Sequence, residues 1–121
     1  MINKSLNRNR VRGGHKPLDL AQVQAVAELF AVLSEGSRLR ILQILQNGPV
    51  SVGELVRRSN LKQANVSKQL GILLSAGIIA RRQDGNRAIY SIKLPLVFEL
   101  CELVCRGMAR QAAERAAALR G

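Results

Sequence analysis

Three groups of side chains in this 121-residue sequence have the types and spacing to do chemistry. The first is the run Lys62, Gln63, Ala64, Asn65, Ser67, Lys68 and Gln69. A carboxamide such as Gln63 or Asn65 presents a donor and an acceptor together and can pair with an adenine edge, while a lysine can donate to guanine or to phosphate. The second is Arg81, Arg82 and Arg87, on either side of Asp84-Gly85-Asn86. Three guanidiniums so close together repel one another and are no folding device, so they either contact an anion or guard an edge strand with charge. The third is Cys101 and Cys105, four residues apart and therefore on one face if the segment is helical. At that spacing the Cβ atoms are about 5 to 6 Å apart, against about 3.5 to 4.5 Å for a disulfide, so a bond between them would distort the helix. As small apolar residues they could equally be packing at an interface.

Other chemistries are poorly supplied. His15 is the only histidine, and it lies in a basic stretch with nothing to pair with. No nucleophile, base and acid can be assembled around it, no tetrahedral zinc set is present, and no glycine-rich loop has phosphate-binding spacing. The expectation is a protein that is not an enzyme, with no metal and no cofactor. Nineteen Lys and Arg against eight Asp and Glu leave a net charge of +11, which attracts a polyanion: nucleic acid or an anionic membrane. No apolar run approaches the roughly 20 residues that span a bilayer, and none of signal-peptide length follows the basic start. With two cysteines in no disulfide framework, a reducing cytoplasm is expected. Aromatic residues are 2% of the chain, which disfavours modules that stack single-stranded bases and leaves a duplex as the partner.

These groups must be positioned by elements that the hydrophobic periodicity outlines. Residues 1–16, with Lys4, Arg8, Arg10, Arg12, Lys16 and no acid, read as a flexible basic arm that lies on DNA or is simply solvated. Residues 17–121 form one domain. A first helix covers about 19–33 with Asp19 as N-cap, and a second, carrying Leu39, Leu42, Ile44 and Leu45, ends at Gly48-Pro49. Ser51 caps a short helix, Val52 to Arg58, with Glu54 placed for a capping box. A turn at Ser59-Asn60 leads into a helix from Lys62 to Ala76, closed by Gly77, with Val66, Leu70, Leu73 and Leu74 on one face. The period then changes to two across Ile78 to Ile92, a β-hairpin with a charged tip. Pro95 starts a last helix that runs to about 119. Leu39, Leu42, Leu45, Leu55, Val66, Leu70, Leu73 and Ile79 are the expected core.

Two helices joined by a short turn and followed directly by a hairpin make the winged-helix arrangement: mainly α, with a small two-stranded wing. In Leu33-Ser34-Glu35-Gly36-Ser37-Arg38-Leu39-Arg40-Ile41-Leu42, Ser51-Val52-Gly53-Glu54-Leu55, Leu61 to Leu70 and Ala76 to Arg87, the chain resembles the ArsR/SmtB family of bacterial winged-helix repressors over about residues 20–105. The resemblance implies DNA reading through Lys62, Gln63, Ala64, Asn65, Ser67, Lys68 and Gln69, although Ser67 and Gln69 could touch only backbone or solvent. It implies a mainly structural Arg38, expected in a salt bridge or on a phosphate. Metal sensors of the family carry cysteines in the stretch that here reads Ser51 to Leu55, or Asp and His on the final helix, and this chain has neither. In some thiol-sensing members a cysteine on the last helix pairs with one on the second. Cys105 is similar to the former, whereas the matching second position is Gln43.

The resulting expectation is a homodimeric, cytoplasmic transcriptional repressor. It dimerises through its first and last helices and binds a double-stranded DNA operator, since two reading helices need a symmetric partner to meet half-sites about 34 Å apart. Cys101 and Cys105 are its candidate sensor for a thiol-reactive inducer such as an oxidant, reactive sulfur or arsenite. The competing readings are a regulator without small-molecule sensing, a less specific architectural DNA binder, and an adaptor that uses the fold to hold another protein.

Overall fold

Local capping sets the helix boundaries. The computed structural model describes residues 16–120; the arm expected over residues 1–16 therefore lies, apart from Lys16, outside the described residues. Helix α1 spans Leu20–Leu33, and its N-cap Asp19 forms a full capping box with Gln22: Asp19 Oδ1 accepts from Gln22 N at 2.8 Å while Gln22 Oε1 accepts from Asp19 N at 2.9 Å. Helix α2, Gly36–Leu45, is capped by Glu35, whose carboxylate accepts from the backbone N–H groups of Ser37 and Arg38. These bonds, Ser37 first, together with the Arg38 charge hold the Glu35 carboxyl below the usual carboxylate range.

Strand β1, Val50–Ser51, precedes α3, Val52–Ser59. Ser51 Oγ accepts from Glu54 N at 3.2 Å, so the expected cap is present. The reciprocal half of the box is not, because the Glu54 carboxylate is engaged by Arg57. Asn60 stops the helix in the left-handed region at φ 62°, and the buried Ser59 accepts from Leu61 N, which turns the chain into α4, Gln63–Ser75. Gly77, at φ 74°, ends α4 in a Schellman turn: Ile78 N donates to Leu73 O and Gly77 N to Leu74 O.

Strands β2, Ile79–Asp84, and β3, Arg87–Ile92, pair antiparallel from Ile79 opposite Ile92 to Asp84 opposite Arg87, closing on Gly85-Asn86. The wing is not two-stranded as expected. Val50 and Ser51 pair with Tyr90 and Ile89, giving a three-stranded sheet ordered β1-β3-β2. Helix α5 then runs over Pro95–Arg120.

The core is built around α2, which packs on α1, α3, α4 and β3. Ile41, Leu42, Ile44 and Leu45 meet Leu55 of α3, Val66, Leu70 and Leu73 of α4, and Ile79 and Tyr90 of the sheet, with Val97 and Cys101 of α5 at the far side. Leu39 departs from its expected core role: it is 44% exposed, because the buried stripe of α2 runs through its neighbours Ile41 and Leu42.

The glycines provide a stability test. Gly77→Ala should lower stability by about 1 to 2 kcal/mol, the cost of an L-residue at positive φ. Gly71→Ala, mid-helix and with open space where its Cβ would be, should raise it by about 0.5 to 1 kcal/mol. Denaturant unfolding of both variants at one protein concentration checks the pair; equal shifts in the same direction would contradict the Schellman assignment.

Candidate nucleic-acid interface

Helix α4 buries Val66, Leu70 and Leu73, and this seam fixes its rotation about its own axis. What it leaves exposed is Gln63, Ala64, Ser67 and Lys68, with Lys62 immediately before the first turn. Two residues of the expected reading set are tied back toward α2, Gln69 wholly and Asn65 only in part. Gln69 is 5% exposed, so its expected place on the reading surface is corrected to a place inside the fold: Oε1 accepts from Arg38 Nη1 at 2.9 Å and Nε2 donates to Asn65 Oδ1 at 2.9 Å. Asn65 is half-buried and donates from Nδ2 to Ser37 Oγ at 3.2 Å. Their signal was hidden because the burial depends on Ser37 and Arg38, two helices earlier in the chain.

Arg38 is held within the fold, without the salt bridge that was one of its two expected contacts. Its Nε donates to Val32 O at 2.6 Å and Nη1 to Gln69, so it is held by a carbonyl and an amide with no salt bridge. Among the described residues the ion pairs are Arg57–Glu54 and Arg82–Asp84.

On the wing, Arg81, Arg82 and Arg87 are all exposed. Strand alternation puts Arg81 and Gln83 on one side and Arg82 and Asp84 on the other. Accordingly Arg81 Nη2 donates to Gln83 Oε1 at 3.2 Å, while Arg82 and Asp84 approach to 3.9 Å across open solvent, a weak pair. Sequence reasoning passed over Arg57 and Arg58, two exposed cations in the last turn of α3 beside the turn into α4. Their adjacency to that turn was the available signal. Arg40 Nη2 donates to Arg58 O at 3.0 Å, tying the end of α3 to α2.

Cys101 and Cys105 are free thiols with different surroundings: Cys101 is buried and Cys105 is exposed. Both line an apolar groove of about 570 Å³ between α1, α2 and α5, which Phe30, Leu33, Leu39 and Val104 also border. Gln43 lines the same groove, so the position matching the second-helix cysteine of thiol-sensing relatives does come into one hollow with Cys105. Burial, and secondarily the neighbouring Cys105, pushes the Cys101 thiol above the ordinary cysteine value. No group of three or more metal-ligating side chains gathers among the described residues, and among them no helix is long and apolar enough to cross a membrane.

A helix-turn-helix domain family matches residues 33–82, from the end of α1 into the wing. The HTH-type transcriptional regulator Rv0081 of Mycobacterium tuberculosis is 43% identical over 94 residues, covering 77% of this chain and 82% of that protein. The crystal structure of Rv0081 superposes with a TM-score of 0.67 at 40% identity, over 79% of this chain and 98% of that one. The AntR antimony-specific transcriptional repressor reaches a TM-score of 0.74 at 29% identity, covering 83% of this chain and 91% of that one. A winged helix-turn-helix DNA-binding domain from Mycobacterium bovis, described as homodimeric and of possible ArsR-family type, gives 0.69 at 28% identity over 84% of this chain and 94% of its own. The fold is that of a winged helix-turn-helix DNA-binding domain. The chain belongs to the ArsR/SmtB family of transcriptional regulators.

The two thiols should be distinguishable by alkylation. With a raised pKa, Cys101 holds less thiolate at neutral pH than an ordinary cysteine, so its iodoacetamide rate should keep rising with pH beyond the range in which an ordinary thiol levels off. Cys105, exposed, should react first at pH 7. Peptide mass spectrometry across pH 7 to 10 reads both; equal rates throughout would contradict the burial of Cys101.

Proposed function

We propose that this regulator is a homodimeric, sequence-specific repressor that binds a pseudo-palindromic DNA operator. The observation that carries the reading is the face of α4 that its own core leaves open. Gln63, Ser67 and Lys68 stand exposed there with Lys62 beside them, and a carboxamide and cations on the first two turns of a helix suit major-groove base edges and phosphates. Arg81, Arg82 and Arg87 on the wing are assigned to the DNA backbone or the adjacent minor groove. Dimerisation is assigned to α1 and α5, which expose Leu20 (87%), Val23, Phe30, Leu103, Val104 and Met108, a set far more apolar than a monomer leaves in water. The homodimeric neighbour from Mycobacterium bovis supports that assignment.

Selection from a randomised duplex pool supplies the operator, and alanine variants then assign the roles. Gln63→Ala should cost about 1 to 3 kcal/mol on the selected site and little on random duplex. Arg81→Ala and Arg87→Ala should weaken binding to all sequences and reduce the slope of affinity against salt by about one for each phosphate left without its arginine. Equal losses on both DNAs for Gln63→Ala, or unchanged salt slopes for the arginines, would refute the respective role.

Cys101 and Cys105 are the proposed sensor. A thiol-reactive inducer entering the groove would alter how α5 sits against α1 and α2, and with it the spacing of the two reading helices. The double variant Cys101→Ser/Cys105→Ser should bind DNA and lose any response to oxidant, persulfide or arsenite. The second reading, a regulator without small-molecule input, is favoured by one observation: Cys101 is part of the core and packs as an apolar residue. Full operator affinity of the wild-type protein after both thiols have reacted would decide for it.

A further inference from the structure

Asn65 and Gln69 are one helical turn apart on α4, and a chain of hydrogen bonds ties both to the start of α2. Arg38 is the fixed end. Its Nε donates to Val32 O (2.6 Å) and its Nη1 to Gln69 Oε1 (2.9 Å). A guanidinium can only donate, so Gln69 must turn its oxygen toward Arg38 and its NH2 group the other way. That NH2 meets Asn65 Oδ1 (2.9 Å), which leaves Asn65 Nδ2 to donate to Ser37 Oγ (3.2 Å). The polarity of the whole row is thereby dictated from Arg38 outward. Gln69 is buried and Asn65 half-buried, so reversing one amide alone would set donor against donor or oxygen against oxygen out of water. After these bonds the Asn65 amide retains one N–H and one lone pair, the complement of an adenine edge.

We propose that Gln69 is a positioning residue that sets the direction of the Asn65 amide, and through it the base preference of α4, with Arg38 as the anchor. The inference rests on the reading of α4 as the base-reading helix. Gln69 touches no base itself, because it is enclosed behind Asn65.

Gln69→Glu is the informative variant. It keeps an oxygen toward Arg38 and removes the donor toward Asn65. Asn65 then satisfies itself by turning its NH2 toward residue 69 and its oxygen toward Ser37, whose hydroxyl can donate as well as accept. The row stays bonded with Asn65 reversed. Gln69→Met, of similar length and without polar atoms, releases Asn65 instead.

Two measurements test this. In the free protein, the side-chain amide NMR resonances of Asn65 should move in Gln69→Glu while those of Gln63 stay in place. In selection from a randomised duplex pool, Gln69→Glu and Gln69→Met should each change the relative preference at one base pair per half-site by about tenfold, with the other positions kept. Asn65→Ala should lose the same position, and adding Gln69→Glu to Asn65→Ala should change nothing further. Unmoved Asn65 resonances in Gln69→Glu, or a wild-type preference at every position in both Gln69 variants, overturns the positioning role and leaves the base-reading assignment standing. An undiminished effect of Gln69→Glu in the Asn65→Ala background also overturns it, since Gln69 would then act without Asn65. A wild-type protein that enriches no sequence overturns the base-reading assignment and this proposal together, whatever the NMR shows.

Discussion

Ile41, Leu42, Ile44 and Leu45 are the contacts on which the other elements converge. All four lie on α2, a ten-residue helix that touches α1, α3, α4 and the sheet, and each is at most 4% exposed. Burying four large aliphatic side chains on so short a helix contributes on the order of 6 to 12 kcal/mol as an upper bound on transfer. It also leaves α2 little freedom to rotate. Once α2 is placed, the seam of Val66, Leu70 and Leu73 against it places α4, and the exposed residues of α4 follow by subtraction.

The same centrality explains why a cation is tolerated early in α2, where the helix dipole disfavours it. Arg38 is half-buried and compensated by Val32 O and Gln69 Oε1, while the cap at Glu35 supplies negative charge one turn away. Val32 is the residue before Leu33, which is buried and borders the groove that holds both cysteines. The carbonyl that anchors the amide row and the wall of the groove are therefore one stretch of backbone.

Most of this fold was legible because its elements carry strong local signals. Asp19, Ser51, Asn60, Gly77 and Pro95 each act where their chemistry places them, and the alternation from Ile79 to Ile92 is uninterrupted apart from the turn. What was not legible depended on distant partners. Strand β1 is two residues long, too short for any period, and exists only because β3 offers it an edge. Leu39 fits an i, i+3, i+6 apolar series with the buried Leu42 and Leu45, and only packing shows that its first member falls outside the core. Gln69 looks like a solvent-facing polar residue of α4 until Arg38, 31 residues earlier, is seen to enclose it. Of the residues expected on the open face of α4, Gln63, Ser67 and Lys68 are thus exposed, while Gln69 lies inside the fold.

The apolar residues that remain uncovered are not distributed at random. Apart from Leu18 and Leu39, they lie on α1 and α5, the helices least involved in the core: α1 buries Leu33 alone, and α5, 26 residues and about 39 Å long, buries only Val97 and Cys101. Beyond Cys105, the helix continues for four turns with nearly every side chain exposed. An isolated helix of about that length is marginal in water even with the alanine content seen here. Buried only at Val97 and Cys101, α5 gains from any surface that covers its apolar side. The homodimer proposed above supplies one, by laying the exposed apolar residues of α1 and α5 against their symmetry mates. The groove with the two thiols opens between those same helices, so in the proposed homodimer a change in how α5 rests on α1 and α2 would alter the dimer surface before it reached α4. A regulatory input at the groove would then need no contact with the DNA face.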